Sequence, residues 1–250
     1  MDKNLISQPY TSIRYSDKLP DVTECYLCGK KLEDNFTQDH IIPNMLFHPG
    51  DEYRPKLYVH SICNRQKSLD DEWFVHHVRF RSSVNPVAEG EFVKFLDKAA
   101  TELPDAYILG KNPRNLKLAK KIIGDVSSSF EIKYGEKDLV QFLVSEENSV
   151  RFKKYVETMC RGLFIRNVSQ SNPQAPEIRH VTYTHLEMLG KLKFFTENIK
   201  QMIEVSESSR FGQQWGDRIT YIGSRVAENP NKGFLLVQFY SQFCIEAFFR

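Results

Sequence analysis

Two ligand-type pairs, Cys25-x2-Cys28 and His60-x2-Cys63, constrain this chain more than any other feature. Structural zinc takes four tetrahedral ligands from thiolate and imidazole, and a two-residue spacing lets a tight turn aim both members of a pair at one ion. If one ion takes all four, everything between the pairs folds back into a closed knot. The competing reading is that cysteines fell at this spacing by chance and pack as small buried hydrophobes. It covers one pair, but neither the second pair nor the Gly29-Lys30-Lys31 turn after the first. A redox C-x-x-C expects a βαβ context, which the sequence lacks.

A knot used only for packing needs nothing special between its ligand pairs. Here Asp39 and His40 are adjacent, followed by Ile41-Ile42-Pro43, and Asn64 directly follows the last ligand. A carboxylate binds a hard cation through oxygen, an imidazole takes a proton from water near neutral pH, and an asparagine amide is a neutral oxygen ligand. Together these are the parts of a metal-assisted hydrolase acting on a phosphodiester.

The pattern C-x2-C, D-H-I-x-P, L-x2-[CH]-x2-C-N-x2-K is carried by Cys25, Cys28, Asp39, His40, Pro43, Leu57, His60, Cys63, Asn64 and Lys67. It resembles the zinc-stapled form of the HNH, or ββα-metal, nucleases over about a fifth of the chain. The resemblance implies two strands carrying the acid-histidine pair and a helix carrying the asparagine. It implies His40 as general base, Asp39 and Asn64 as ligands of one catalytic Mg²⁺ or Mn²⁺, and the four Cys/His residues as a structural Zn²⁺ site. Two departures stand out. His60 replaces the more usual cysteine, which zinc chemistry allows. The middle asparagine that braces the loop behind the histidine has no counterpart between His48 and Leu57.

Several residues have two readings each. Asn64 could cap the helix that follows as well as bind a cation. Lys67, one turn further along the same helix face, is either a contact to a DNA phosphate or a solvated lysine. Arg79 and Arg81, in the mixed tail His76-His77-Val78-Arg79-Phe80-Arg81, either meet a phosphate backbone or alternate between surface and core. Lys117, Lys120 and Lys121 belong to a segment with no acid from Lys111 to Gly124. On a helix opened by Pro113, with Leu116, Ala119, Ile122 and Ile123 toward the core, they line the outer face. That stripe is either an electrostatic footprint for nucleic acid or a solvated face.

Net charge is only +2, so a nucleic-acid surface has to come from local clustering. No apolar run is long enough to span a bilayer and Met1 opens no signal-peptide pattern, so the expectation is a cytoplasmic protein without a membrane partner. Cys160 and Cys244 lie in apolar stretches, where buried reduced thiols are expected.

The expected class is α+β: an N-terminal ββα-metal HNH module with structural zinc, then a mixed helical and β-sheet C-terminal region. Residues 1–84 form the module with its N-terminal arm, 85–126 a helical basic segment, and 127–250 an α+β domain that positions, regulates or binds a partner. Ser127-Ser128-Ser129 is the boundary candidate. Helical spacing over Ser149 to Arg166 predicts a helix there, and another is expected from Gly190 to Glu204 after a loop with Pro173 and Pro176. Alternation predicts strands over Phe130–Tyr134, Leu139–Val144, Ile178–Thr184, Phe234–Tyr240 and Phe243–Phe249, with a hairpin turn at Glu228–Gly233.

The function this implies is a metal-dependent endonuclease acting on DNA, with an RNA-cleaving nuclease of the same type as a lesser alternative. By the resemblance it suits bacterial defence or mobile-element maintenance, with a restraining or activating protein partner and a possible homo-oligomer. The alternative is a non-catalytic zinc module that binds nucleic acid or protein.

Overall fold

A computed structural model describes residues 19, 22–82, 85–126, 130–134, 137–141, 146–168, 178–185, 210–226 and 229–249. Strands β1 (Phe36–His40) and β2 (Lys56–His60) pair antiparallel, with His40 opposite Lys56 and Asp39 opposite Leu57. Helix α1 (Ser61–Arg81) follows directly, giving the expected ββα-like order. Alternation along a strand sends neighbours to opposite faces. Asp39, Leu57 and Val59 are therefore buried, while Gln38, His40, Lys56 and Tyr58 share the more open face.

Helices α2 (Pro86–Thr101), α3 (Leu103–Leu109) and α4 (Arg114–Val126) come next. Asn85 starts α2 by accepting hydrogen bonds from the Val87 and Ala88 amides, with Pro86 in the first turn. The α4 face is as expected for Leu116, Ala119 and Ile122, which are buried, but Ile123 is 53% exposed.

A hairpin of β3 (Phe130–Tyr134) and β4 (Lys137–Gln141) leads to the long helix α5 (Glu146–Val168). Strands β5 (Ile178–His185), β6 (Arg210–Trp215), β7 (Ile219–Val226), β8 (Asn229–Phe239) and β9 (Phe243–Phe249) make an antiparallel sheet in the order β5-β9-β8-β7-β6. The expected hairpin is β7–β8, although β8 already begins at Asn229, inside the stretch read as a turn. The serine tract, the Pro173/Pro176 loop, the helix expected over 190–204 and nearly all of the N-terminal arm lie outside the described residues. Among the described residues no helix is long and apolar enough to cross a membrane.

One buried cluster runs from Val22 to Phe249 and draws on all three expected segments. Helix α5 is its centre. Tyr155 stacks on Phe74 at 4.4 Å, Phe152 packs against Trp73 and Phe74, and Phe164 stacks on Phe249 at 3.9 Å. Cys160 and Cys244 are buried free thiols, as expected. Where α5 crosses the ββα unit it has Gly162, whose missing side chain admits Tyr26 and Ile41. A Cβ there would meet Tyr26 Cε2 at 2.7 Å and Ile41 Cγ2 at 2.8 Å. Alanine favours a helix over glycine by about 1 kcal/mol, but overpacking a rigid core costs about 1–3 kcal/mol. Tyr26 is held by its hydroxyl and cannot swing away. Gly162→Ala is therefore expected to lower the melting temperature; an unchanged or higher value would show that the crossing is loose.

Candidate metal centre and the cleft at His40

The structure brings Cys25, Cys28, His60 and Cys63 together, with all four ligand atoms within 4.8 Å of one another. A turn presents the first pair: the Cys28 and Gly29 amides both donate to the Cys25 carbonyl, at 3.2 and 2.7 Å. Gly29 sits at φ 72°, the left-handed region glycine enters without strain. The second pair straddles the start of α1, with His60 at its N-cap and Cys63 in its first turn. His60 Nε2 lies 2.8 Å from the Lys31 carbonyl oxygen. A carbonyl only accepts, so Nε2 holds the proton and Nδ1 keeps a bare lone pair. That nitrogen stands 3.4 Å from Cys28 Sγ and 3.9 Å from Cys63 Sγ.

Burial raises the Cys25 thiol, and burial together with the neighbouring thiols pushes Cys63 up to about 12. At Cys28 burial also pushes upward, but hydrogen bonds from the Lys30 amide and from the Cys25 and Cys63 side chains outweigh it and the net shift is down. Three crowded thiols resist ionising together unless a cation joins them. The donor set and the oriented imidazole fit zinc, whose thiolate ligands stand about 2.3 Å from the ion.

The same alternation that buries Asp39 separates it from His40. Asp39 is only 4% exposed, and its carboxylate accepts the Tyr26 hydroxyl on one oxygen and lies 3.4–3.5 Å from the Lys67 ammonium on both. Lys67 also donates to the His40 carbonyl at 2.9 Å and to Asp71 Oδ1 at 2.8 Å, while Tyr155 donates to the same Asp71 oxygen. Burial raises the Asp39 pKa, partly countered by Lys67 and Tyr26. Asn64 is not a cap; its amide nitrogen donates to the Gln38 carbonyl at 3.3 Å. In this arrangement Asp39 and Asn64 do not fit the expected Mg²⁺ or Mn²⁺ site, because a lysine ammonium already holds the carboxylate that a cation would need.

Sequence reasoning missed this cage. Lys67, expected as a DNA-phosphate contact or a solvated lysine, is buried, since position 67 faces the sheet that β1 and β2 lay across α1. Arg79 is likewise inside: it bonds Glu91 at 2.9 Å and the Met45 carbonyl at 2.8 Å, so it is no phosphate contact. Arg81 is half-buried, its guanidinium over the Phe152 and Phe243 rings at 5.4 and 5.9 Å. Lys117, Lys120 and Lys121 lie exposed along α4, opposite its buried face, as expected.

His40 faces the other way, into a polar cleft of about 460 Å³. Burial, then Lys56, Arg54 and Lys67, lower its pKa to about 4, so at neutral pH the imidazole is neutral with a bare lone pair, though less basic than a free imidazole. The loop behind it, residues 41–55, has no asparagine from His48 onward and is braced by Arg54. That guanidinium bonds the Asn44 side chain and the His48 and Pro49 carbonyls, and lies over the Phe47 ring. An arginine fork can hold several acceptors at once, a substitution no motif match signals.

No protein-family model, curated protein or solved structure matches the chain. Its own geometry therefore defines the site: a Cys₃His cluster able to bind zinc, tied to a ββα-like unit that holds His40 at the floor of a cleft.

Proposed function

We propose that the chain is an endonuclease-type phosphodiester hydrolase acting on DNA, with His40 as the general base. One observation carries this reading: a neutral imidazole in a polar cleft with Lys56, Arg54 and Arg166 around it. Water adds to phosphorus, its proton passes to His40, and the bond from phosphorus to the bridging oxygen breaks, the electron pair leaving on that oxygen, which takes a proton from solvent. Positive charge in the cleft favours the charge that develops on the phosphoryl oxygens. Lys67 acts as a positioning residue, since its bond to the His40 carbonyl fixes the end of β1. Zinc would hold the knot from which both strands and the helix leave.

The test is cleavage of supercoiled plasmid by zinc-loaded wild type and His40→Ala, with EDTA, Mg²⁺ and Mn²⁺ arms and an RNA arm. Wild type is expected to nick or linearise DNA, and His40→Ala to lose about 10²–10⁴-fold in rate. The cation arms decide whether a divalent ion is required despite the Lys67–Asp39 pairing. That pairing favours a second reading, a non-catalytic zinc module that binds nucleic acid. It predicts DNA binding with no cleavage by either protein in any arm.

A further inference from the structure

Two distant parts of the chain build the His40 cleft. One wall is the open face of the ββ unit, where Gln38, His40 and Lys56 lie together, with Lys56 directly opposite His40 in the strand register. Cross-strand neighbours of this kind have Cβ atoms about 5 Å apart. The opposite wall comes from the C-terminal half: Arg166 from the last turn of α5 and Gln213 from β6. The two walls are fastened. Trp215 of β6 donates its Nε1 proton to the Glu52 carbonyl at 3.0 Å, and its ring meets Phe47 edge-on at 5.0 Å.

The anchored loop puts Tyr53 at the cleft. Tyr53 is 52% exposed and has φ 56°, a left-handed conformation disfavoured for a bulky residue. A large ring held exposed in such a backbone, beside a basic cleft, has the form of a stacking platform. Single-strand binders combine these two features, a positive groove for the backbone and an aromatic face for a base. The volume suits one small ligand rather than a duplex, and a paired base must first be unpaired and unstacked, at a cost of a few kcal/mol, before it can lie on a ring.

We infer that the cleft takes one nucleotide of an unpaired DNA strand, with its phosphate between Lys56 and Arg166 beside His40 and its base stacked on Tyr53. The C-terminal half is then one side of the nucleic-acid site. The inference rests on reading His40 as the site of phosphodiester hydrolysis.

The experiment uses full-length, zinc-loaded His40→Ala and a short labelled DNA oligonucleotide, single-stranded or annealed, with anisotropy read over a salt series. The single strand is expected to bind at least about tenfold tighter than the duplex. Adding Tyr53→Ala should weaken it about tenfold, while Tyr53→Phe keeps the affinity. Adding Lys56→Gln should lower the salt slope by about one, and Arg166→Gln should do the same. Equal or tighter duplex binding overturns the inference. So do unchanged affinities for both Tyr53→Ala and Lys56→Gln, which alter the rim and leave the core in place. Plasmid cleavage by wild type is scored separately. Binding as described without cleavage keeps the cleft and removes the hydrolase, and cleavage with none of these binding effects does the reverse.

Discussion

Chelation of zinc from the purified protein is expected to lower its melting temperature by at least about 10 °C, because about 1 kcal/mol shifts a domain of this size by about 2–4 °C. Zinc binding in comparable small sites is worth about 10–16 kcal/mol and is folding energy, since no preformed site exists in the unfolded chain. Here the knot also packs on a core: Cys25 and Tyr26 are fully buried beside Ile41 and α5. Loss of the ion is therefore expected to free the segment around Cys25 while the C-terminal sheet stays folded. Cys63→Ser should reproduce the effect and abolish stoichiometric zinc. The dependence on pH has a definite sign. Without an ion, burial and thiol crowding hold Cys25 and Cys63 protonated, so binding must release protons and affinity falls as pH falls. A protein that takes up no stoichiometric zinc on reconstitution, with melting indifferent to chelator, would remove the metal from this account.

Lys67→Met should produce the second large effect, a loss of about 3–5 kcal/mol, the typical result of removing one partner from a buried ion pair. Methionine nearly preserves the volume but leaves Asp39, buried at 4% exposure, without its cation. The His40 carbonyl and Asp71 lose a donor as well. Asp39 already has a raised pKa, with burial as the main cause and Lys67 opposing it. Removing Lys67 takes away that opposition, so the folded-state pKa moves further above the unfolded one. A carboxyl with a raised folded pKa binds more protons folded than unfolded, and stability then falls as pH rises through that window. The gap between wild type and Lys67→Met should thus be widest near neutral pH and narrow in acid. Adding Asp39→Asn should recover part of the loss, as coupled sites do. Equal melting curves for wild type and Lys67→Met across this range would show that the cage contributes nothing to the fold. Lys67→Arg separates charge from shape: it restores the cation but places a planar fork where a point charge sat.

How far the sequence reached depended on how local each determinant is. The Cys₃His cluster was legible because ligand spacing is a property of a turn and of a helix start, and both are set within a few residues. Helix α1 with buried Trp73, Phe74, His77 and Val78, and strand β9 over Phe243–Phe249, were legible for the same reason, periodicity along one element. The partners of Glu91 were not. That carboxylate gathers Arg79 from α1, Arg218 before β7 and the Tyr240 hydroxyl after β8, and nothing in the local pattern around any of these residues names the others.

The motif itself divides along the same line. By itself the sequence determined that four soft ligands converge and that a strand presents Asp39 and His40 in succession. Strand pleating then requires that only one of these two faces the interior, and neither residue type says which. The packing of α1 and α5 decided it, because Lys67, Tyr26 and Tyr155 together offer Asp39 and its neighbour Asp71 the donors that a buried carboxylate demands. His40 was left facing the cleft, whose far wall, Arg166 and Gln213, comes from more than a hundred residues along the chain. Ligand spacing is short-range chemistry and was written in the chain, whereas the satisfaction of a buried charge and the closing of a cleft are long-range and existed only once the sheet had docked.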